Sequence, residues 1–336
     1  FCGCGNLPLT GRQSVRKHRK AAATDSRQVP PGMTVGQMPH PDPCGRGHTG
    51  LNRLTKMQEG FSFTSVRPVS PAASYIGGKK QLAQRVAAVI EQIPHSVYAE
   101  PFVGMGGVFF RRQLIAKCEV INDVSGDVIT LFRILQRHYP QFMETLKFQI
   151  TSRKEFERLK ACDASTLTDL ERAARFLYLQ RLAFGGKVNG RNYGVDTGGS
   201  ARFNVNRLGI LLEEIHERLA GVQIENLSWA DFIDRYDTPG TLFYMDPPYF
   251  GCENDYGKNV FSRDDFERIA NRMLDIKGRF LISLNDTPEV RSIFSAFNIC
   301  DVSLTYTIAA GEAKPVREVI ILDNKAATAV NLPLAP

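Results

Sequence analysis

No apolar run in the 336-residue chain approaches the roughly 20 residues that a bilayer-spanning helix needs; Val86-Ala87-Ala88-Val89-Ile90 is among the longest. No N-terminal stretch has the apolar centre of a secretory signal. A membrane partner is therefore not expected. Metal-ligand spacing is also lacking among the seven cysteines and six histidines. Cys2, Cys4 and Cys44 sit in the N-terminal stretch, whereas Cys118, Cys162, Cys252 and Cys300 are far apart. No metal is expected, and this cysteine usage fits a reducing cytoplasm. No repeat of about 20–50 residues is visible. Two nucleotide patterns fail as well. A dinucleotide G-x-G-x-x-G would need glycine at Phe109, and a phosphate loop at Gly78-Lys79 would need glycine at Ala73 and Ser or Thr at Lys80.

A charge excess is absent where it would count. The net charge is 42 − 35 = +7, but residues 1–56 hold nine Lys/Arg and two Asp/Glu, so 9 − 2 = +7 lies there. The remaining residues carry 33 of each sign. Their basic middle, residues 151–210 with 11 basic and six acidic side chains, alone keeps a composition argument for a phosphate-rich partner.

Residues 1–70 lack a sustained apolar period through most of their length, and Gly, Pro, Ser and Thr dominate residues 1–56. They read as a disordered arm or as sequence outside the natural protein, with Met57, Met33 or Met38 as the start. From Ser74 onward helix and strand alternate. Helical patterns cover 81–92, 108–116 and 127–138, and strands 97–102 and 118–121. Residues 140–206 break the alternation with helices near 152–160 and 170–182 and a Gly/Asn/Arg-rich loop. Alternation then resumes to Leu284, and 302–308 with 316–322 form an antiparallel pair. The expected fold is α/β: a doubly wound, mostly parallel sheet over 71–139 plus 207–324, with a largely helical insertion at 140–206 and a tail at 325–336.

Three patterns carry chemistry. Glu100-Pro101-Phe102-Val103-Gly104-Met105-Gly106-Gly107 is a turn after the first strand of the alternating region, either a ligand cradle or an ordinary tight connection. Asp123 ends the next strand, where an acid can accept both hydroxyls of a ribose or simply cap a helix. Asp246-Pro247-Pro248-Tyr249 ends an apolar strand, and its prolines stiffen the turn that presents Asp and Tyr. That set suits a planar amine. Asp accepts one N–H, a backbone carbonyl can accept the other, and the aromatic ring stacks. Two acceptors favour the pyramidal nitrogen that attack requires, because the lone pair is otherwise delocalised into the ring.

In order, Tyr75-Ile76-Gly77-Gly78-Lys79, Glu100 to Gly107, Asp123, the insertion and Asp246 to Tyr249 resemble the D12 class of DNA adenine-N6 methyltransferases, the Dam-type enzymes, over about residues 72–324. Asn226 to Phe232 and Phe280 to Pro288 extend the resemblance. It implies a Rossmann-like methyltransferase fold, S-adenosyl-L-methionine as cofactor, double-stranded DNA as partner and room for a cognate restriction nuclease. It also implies roles. Tyr75 and Lys79 match the N-terminal cofactor motif; Glu100, Phe102, Gly104 and Gly106 form the methionine side of the pocket; Asp123 holds the ribose; Asp231 and Phe232 flank the cofactor adenine. Asp246, Pro247, Pro248 and Tyr249 hold the target amine, and the insertion recognises DNA. Phe203-Asn204-Val205-Asn206-Arg207-Leu208 departs from the family's Phe-Asn-Val-Pro-Tyr/Phe-Gly, and Met105 stands for a common glycine.

The residues of the insertion support a DNA partner on their own. Residues 172–207 hold seven Lys/Arg and one acid, Asp196, interleaved with aromatics. Lys187, Arg191 and Arg202 lie in Gly-rich loops and are the expected DNA contacts, whereas Arg172, Arg175, Phe176 and Tyr178 fit a helix packed on the core equally well. N4-cytosine DNA methylation, RNA adenine methylation and a catalytically silent DNA-binding relative are the competing readings. Asp before Pro-Pro favours adenine by resemblance, and the intact Asp246 and Tyr249 speak against the silent relative.

Overall fold

The computed structural model describes residues 55–58, 60–76, 82–195, 198–199, 201–257, 260–307 and 313–330. Strands β1 (Thr55–Gln58) and β2 (Phe61–Ser65) precede α1 (Leu82–Ile90), β3 (Val97–Glu100), a 3₁₀ turn at Phe109–Arg111, β4 (Leu114–Ile115), β5 (Cys118–Asn122) and α2 (Gly126–Arg137). Four helices follow: α3 (Tyr139–Leu146), α4 (Arg153–Ala161), α5 (Asp169–Leu182) and α6 (Val205–Arg218). Then come β6 (Gln223–Glu225), α7 (Trp229–Tyr236), β7 (Thr241–Met245), α8 (Asp264–Leu274), β8 (Arg279–Asn285), α9 (Pro288–Ile293), β9 (Asn298–Thr307), β10 (Ala313–Leu322) and α10 (Asn324–Ala329).

The main sheet has the order β6-β5-β3-β7-β8-β10-β9. Its first five strands are parallel, and β10 runs antiparallel to both β8 and β9. This is the expected fold class. Chain order runs outward from β3 through β5 to β6, then returns to place β7 on the other side of β3. That reversal opens a crevice at the carboxyl ends of β3 and β7, where open α/β sheets bind ligands.

Strand β7 shows why the sheet sits where it does. All five residues of Thr241-Leu242-Phe243-Tyr244-Met245 are buried, as a central parallel strand covered on both faces requires. Side chains alternate between faces. Leu242 and Tyr244 join a buried cluster with Leu82, Phe132 and Leu177, while Phe243 and Met245 join a second with Phe232 and Phe266. The helices of residues 140–206 share the first cluster through Phe142, Phe156 and Tyr178. Thr168 starts α5 with a reciprocal cap, accepting from the Glu171 N–H while the Glu171 carboxylate accepts from the Thr168 N–H. Phe176 and Tyr178 are buried, Arg172 pairs with Asp127 at 2.6 Å, and Arg175 donates to the Leu159 carbonyl, so this helix packs on the core.

Three expectations about local structure change. The stretch set aside as residues 1–70 contains β1 and β2, and β2 pairs with β4. Phe63 is 1% exposed and meets the His95 ring edge-on at 5.1 Å, a burial that stabilises by roughly 1.5–3 kcal/mol. The only local signal for β2 is the short apolar alternation Phe61-Ser62-Phe63, set in a polar stretch. Residues 108–116 form a single 3₁₀ turn and the short β4 in place of the expected helix. The turn stops at Arg112, whose backbone is extended and whose side chain turns inward to Glu119 at 2.7 Å, while Phe109 and Phe110 are both buried. Finally, the pattern of residues 140–206 predicts helices only near 152–160 and 170–182, but α3 precedes them, with Pro140 in its first turn, where a proline has no N–H bond to lose. Among the described residues, no helix is long and apolar enough to cross a membrane.

Candidate active site

At the crevice lies one cavity of about 1000 Å³. This is at the top of the usual range for ligand sites, roughly 300–1000 Å³. Tyr75, Glu100, Phe102, Gly104, Asp123, Asp246 and Pro248 line it, so the structure brings these expected site residues together. Lys79 lies outside the described residues.

The turn after β3 is held by backbone geometry. Gly104 has φ +50°, and a Cβ there would lie 3.0 Å from the Tyr75 ring. Its N–H donates to Asp123 Oδ2 at 2.9 Å, and the Ser125 N–H donates to Oδ1 at 2.8 Å. Gly106 backs the turn: a Cβ would meet the Phe110 ring at 2.5 Å. Asn122, fully buried at the end of β5, ties the turns after β3 and β6 together. Its amide donates to the carbonyls of Pro101 and Leu227, and its oxygen accepts from the Leu227 N–H.

Two carboxyls in this half have raised pKa values. Glu100 is 2% exposed, and burial lifts it to about 8. The hydrogen bond from Tyr98 Oη, 2.7 Å, and the Arg112 charge oppose the rise, while Asp246 and Glu119 add to it. Burial lifts Asp123 to about 6 against the two backbone donors. Below Glu100 lies a buried charge cluster. Arg112 sits 3.6 Å from the Tyr98 ring centre and shares Glu119 with Arg218, whose bonds to it are 2.6 and 3.1 Å.

The segment before α1 is clamped over this half. The Ile76 N–H donates to the Gly186 carbonyl, Tyr256 Oη donates to the Ile76 carbonyl, and Gln180 donates to the carbonyls of Ser74 and Gly186. Arg181 donates to the Ala72 carbonyl and also lines the cavity. Tyr75 is thereby held 5.8 Å from the Tyr256 ring.

On the other side stands the Asp246 turn. Pro247 is buried behind it. Tyr249 is half-buried, and its hydroxyl donates to Oε1 of the buried Glu318 at 2.6 Å. Ser283 Oγ donates to Asp246 Oδ1 at 3.1 Å.

Other expected residues lie elsewhere. Phe232 is fully buried against Tyr236 and Phe243, and exposed Asp231 accepts from the Ser228 hydroxyl at 2.6 Å. The cavity wall is instead formed by the preceding Leu227 to Ala230, including Trp229. Their place at the start of α7, after β6, is the signal that could have identified them. In the insertion, Lys187 is exposed and Arg202 is half-buried. Arg191 turns inward. Its guanidinium donates to Gln180 Oε1 at 3.1 Å and lies 5.4 Å from the Phe176 ring centre, and desolvation lowers its pKa. Among the described residues no group of three or more His, Cys, Asp or Glu is placed to hold a metal ion.

Residues 75–308 match the D12 class N6 adenine-specific DNA methyltransferases. The chain belongs to this family. A type II methyltransferase of Lactococcus lactis subsp. cremoris, M1.LlaDCHI, is 28% identical over 274 residues, 75% of this chain and 94% of that protein. A type II methyltransferase of Paramecium bursaria Chlorella virus NC1A, M.CviBI, is 23% identical over 233 residues, covering 68% of this chain and 88% of that one. A DNA N-6-adenine-methyltransferase of Escherichia phage P1 is 26% identical over 267 residues, 72% of this chain and 35% of that one. The D12 chain is therefore an adenine-specific DNA methyltransferase, and use of S-adenosylmethionine is general to the family.

Proposed function

We propose that this D12 chain transfers a methyl group from S-adenosylmethionine to N6 of an adenine flipped out of duplex DNA in the cytoplasm, at a site built from the ends of β3, β5 and β7. The observation that carries the reading is one continuous cavity with Glu100 and Asp123 on one side and Asp246 on the other. The cofactor fits this donor set. A buried carboxyl at Glu100 suits its cationic methionine end, Asp123 suits the ribose hydroxyls, and the missing side chain of Gly104 lets the Tyr75 ring close against the turn that lines the cavity. Phe102 and Trp229 supply apolar surface for a purine ring. When bound, the cofactor supplies a methyl group on a positive sulfur.

The remaining work falls to the chain itself. Asp246 accepts one N6 hydrogen, and the rigid backbone of Pro247-Pro248 offers a carbonyl to the other, which localises the nitrogen lone pair. Tyr249 stacks on the extruded base. Extrusion is required because N6 cannot be reached in line within the stack. Lys187 and Arg202 supply phosphate contacts. Arg191 serves better as a strut beneath the loop than as a base reader, given its bond to Gln180. The type II names of two relatives make a cognate restriction nuclease the partner to seek.

Methylation-sensitive sequencing of host DNA after expression of the chain tests the reading. N6-methyladenine within one short sequence is expected, and unmodified DNA from cells containing folded protein would refute it. Lys187→Ala should weaken binding to all duplexes alike and lower the salt slope by about one.

A further inference from the structure

Strand β8 reaches across to the catalytic turn at two places on one face. Ser283 Oγ donates to Asp246 Oδ1 at 3.1 Å. Two residues on, and so on the same side of the strand, Asn285 brackets Phe250: its Oδ1 accepts from the Phe250 N–H at 2.9 Å and its Nδ2 donates to the Phe250 carbonyl at 3.0 Å. Ser283 Oγ also lies 2.9 Å from Tyr244 Oη, and both residues are fully buried. A hydroxyl carries one proton. The serine proton goes to Asp246, so the proton between the two hydroxyls is the tyrosine's. The chain of donors runs one way, from Tyr244 through Ser283 to Asp246, and each bond polarises the next.

Packing alone does not require this arrangement. The neighbours of Tyr244 and Ser283 along their strands, Phe243 and Met245, Ile282 and Leu284, are all buried and apolar. A matched apolar pair at the same two positions is nearly neutral for stability. The hydroxyls therefore matter through what they hold.

We propose that Ser283, backed by Tyr244, is a positioning residue for Asp246: it pins Oδ1 and so sets the rotation of the carboxylate with which the target amine is met. This rests on the role given to Asp246 above. Ser283 acts from behind the cavity wall through Asp246.

The test is single-turnover methylation of one duplex, with KM for that duplex and cofactor affinity measured alongside. Ser283→Ala should slow methyl transfer about ten- to hundredfold, the worth of one hydrogen bond to a charged group. Cofactor affinity and duplex KM should stay within about twofold, because Asp246 remains as an acceptor and only its alignment toward the reacting amine is lost. Ser283→Thr keeps the hydroxyl and should recover most of the rate. Asp246→Asn is the control, and adding Ser283→Ala to it should cost little more, since the two act as one unit. A parental rate in Ser283→Ala beside an impaired Asp246→Asn overturns the positioning role and leaves the Asp246 reading standing. A parental rate in Asp246→Asn overturns that reading and this one with it. Additive losses in the double variant, or a threonine variant as slow as alanine, also overturn the proposal.

Discussion

The two halves of the cavity are built differently. The half after β3 and β5 is shaped mainly by backbone: positive φ at Gly104 and Gly106 and N–H groups on Asp123, with the Asn122 side chain tying the turns after β3 and β6. Its carboxyls have raised pKa values, Glu100 about 8 and Asp123 about 6, so it favours a ligand that brings positive charge and hydroxyl donors. The half after β7 is shaped by side chains reaching from neighbouring strands: Ser283 and Asn285 from β8, Glu318 from β10. The difference implies that damage to the first half weakens binding, while damage to the second slows the chemistry.

The largest expected effect tests that division directly. Asp246→Asn keeps the shape but replaces one acceptor with a donor, and should cut single-turnover methylation by on the order of 10²–10³. Cofactor affinity, measured by calorimetry, should change far less. Equal losses in rate and affinity would merge the two halves.

Tyr249 sharpens the same contrast. Tyr249→Ala removes the ring and should cost roughly 1–3 kcal/mol in single-turnover transfer, the scale of a base–aromatic stack. Tyr249→Phe keeps the ring but loses the bond to Glu318, so its cost should fall on stability. A loss of about 1 kcal/mol would lower the melting temperature by roughly 2–4 °C. A phenylalanine variant as slow as alanine would assign the hydroxyl to the chemistry.

Gly104→Ala should do the reverse. A non-glycine residue at φ +50° costs about 1–3 kcal/mol, and its Cβ would press on Tyr75. Cofactor affinity should fall about tenfold while transfer at saturation stays near the parental rate.

The legible part of this protein follows the same division. Glu100, Asp123 and Asp246 each end a strand whose apolar run is visible in one line of sequence, and an open α/β sheet gathers such ends at one edge. What stayed hidden depends on distant partners. Asn122 bonds to Leu227, 105 residues away, and Arg112 reads as surface until Glu119 and Arg218 are placed around it. Arg191 stands between Gly190 and Gly194, a sequence setting that suits a DNA contact, yet Gln180 on α5 draws it inward. Phe232 shows the opposite failure: the resemblance marked a pocket residue, and the apolar face of α7 puts it in the core. Periodicity reports which face a residue occupies, but not which polar group meets it there.

An effect no larger than that of Gly104→Ala is a pH dependence confined to the cofactor half. With its pKa near 8, Glu100 is mostly protonated in the empty pocket at pH 7. A cationic ligand favours the ionised carboxylate, so binding must expel that proton. The sign follows: affinity rises with pH while Glu100 is protonated, and levels off above about 8 where the proton is already gone. From the ionised fractions at the two pH values, affinity should be about tenfold tighter at pH 9 than at pH 7. Titration of the cofactor itself is common to any variant, so the comparison is with Glu100→Gln, which should bind more weakly at pH 9 and lack this rise. Calorimetry in buffers of different ionisation enthalpy gives a second reading, with more protons released at pH 7 by the parent than by the variant. Identical pH profiles would mean that Glu100 keeps its proton when the site fills. The positive end of the ligand would then have to be met elsewhere, with Asp123 and Asp246 among the remaining cavity carboxyls to test.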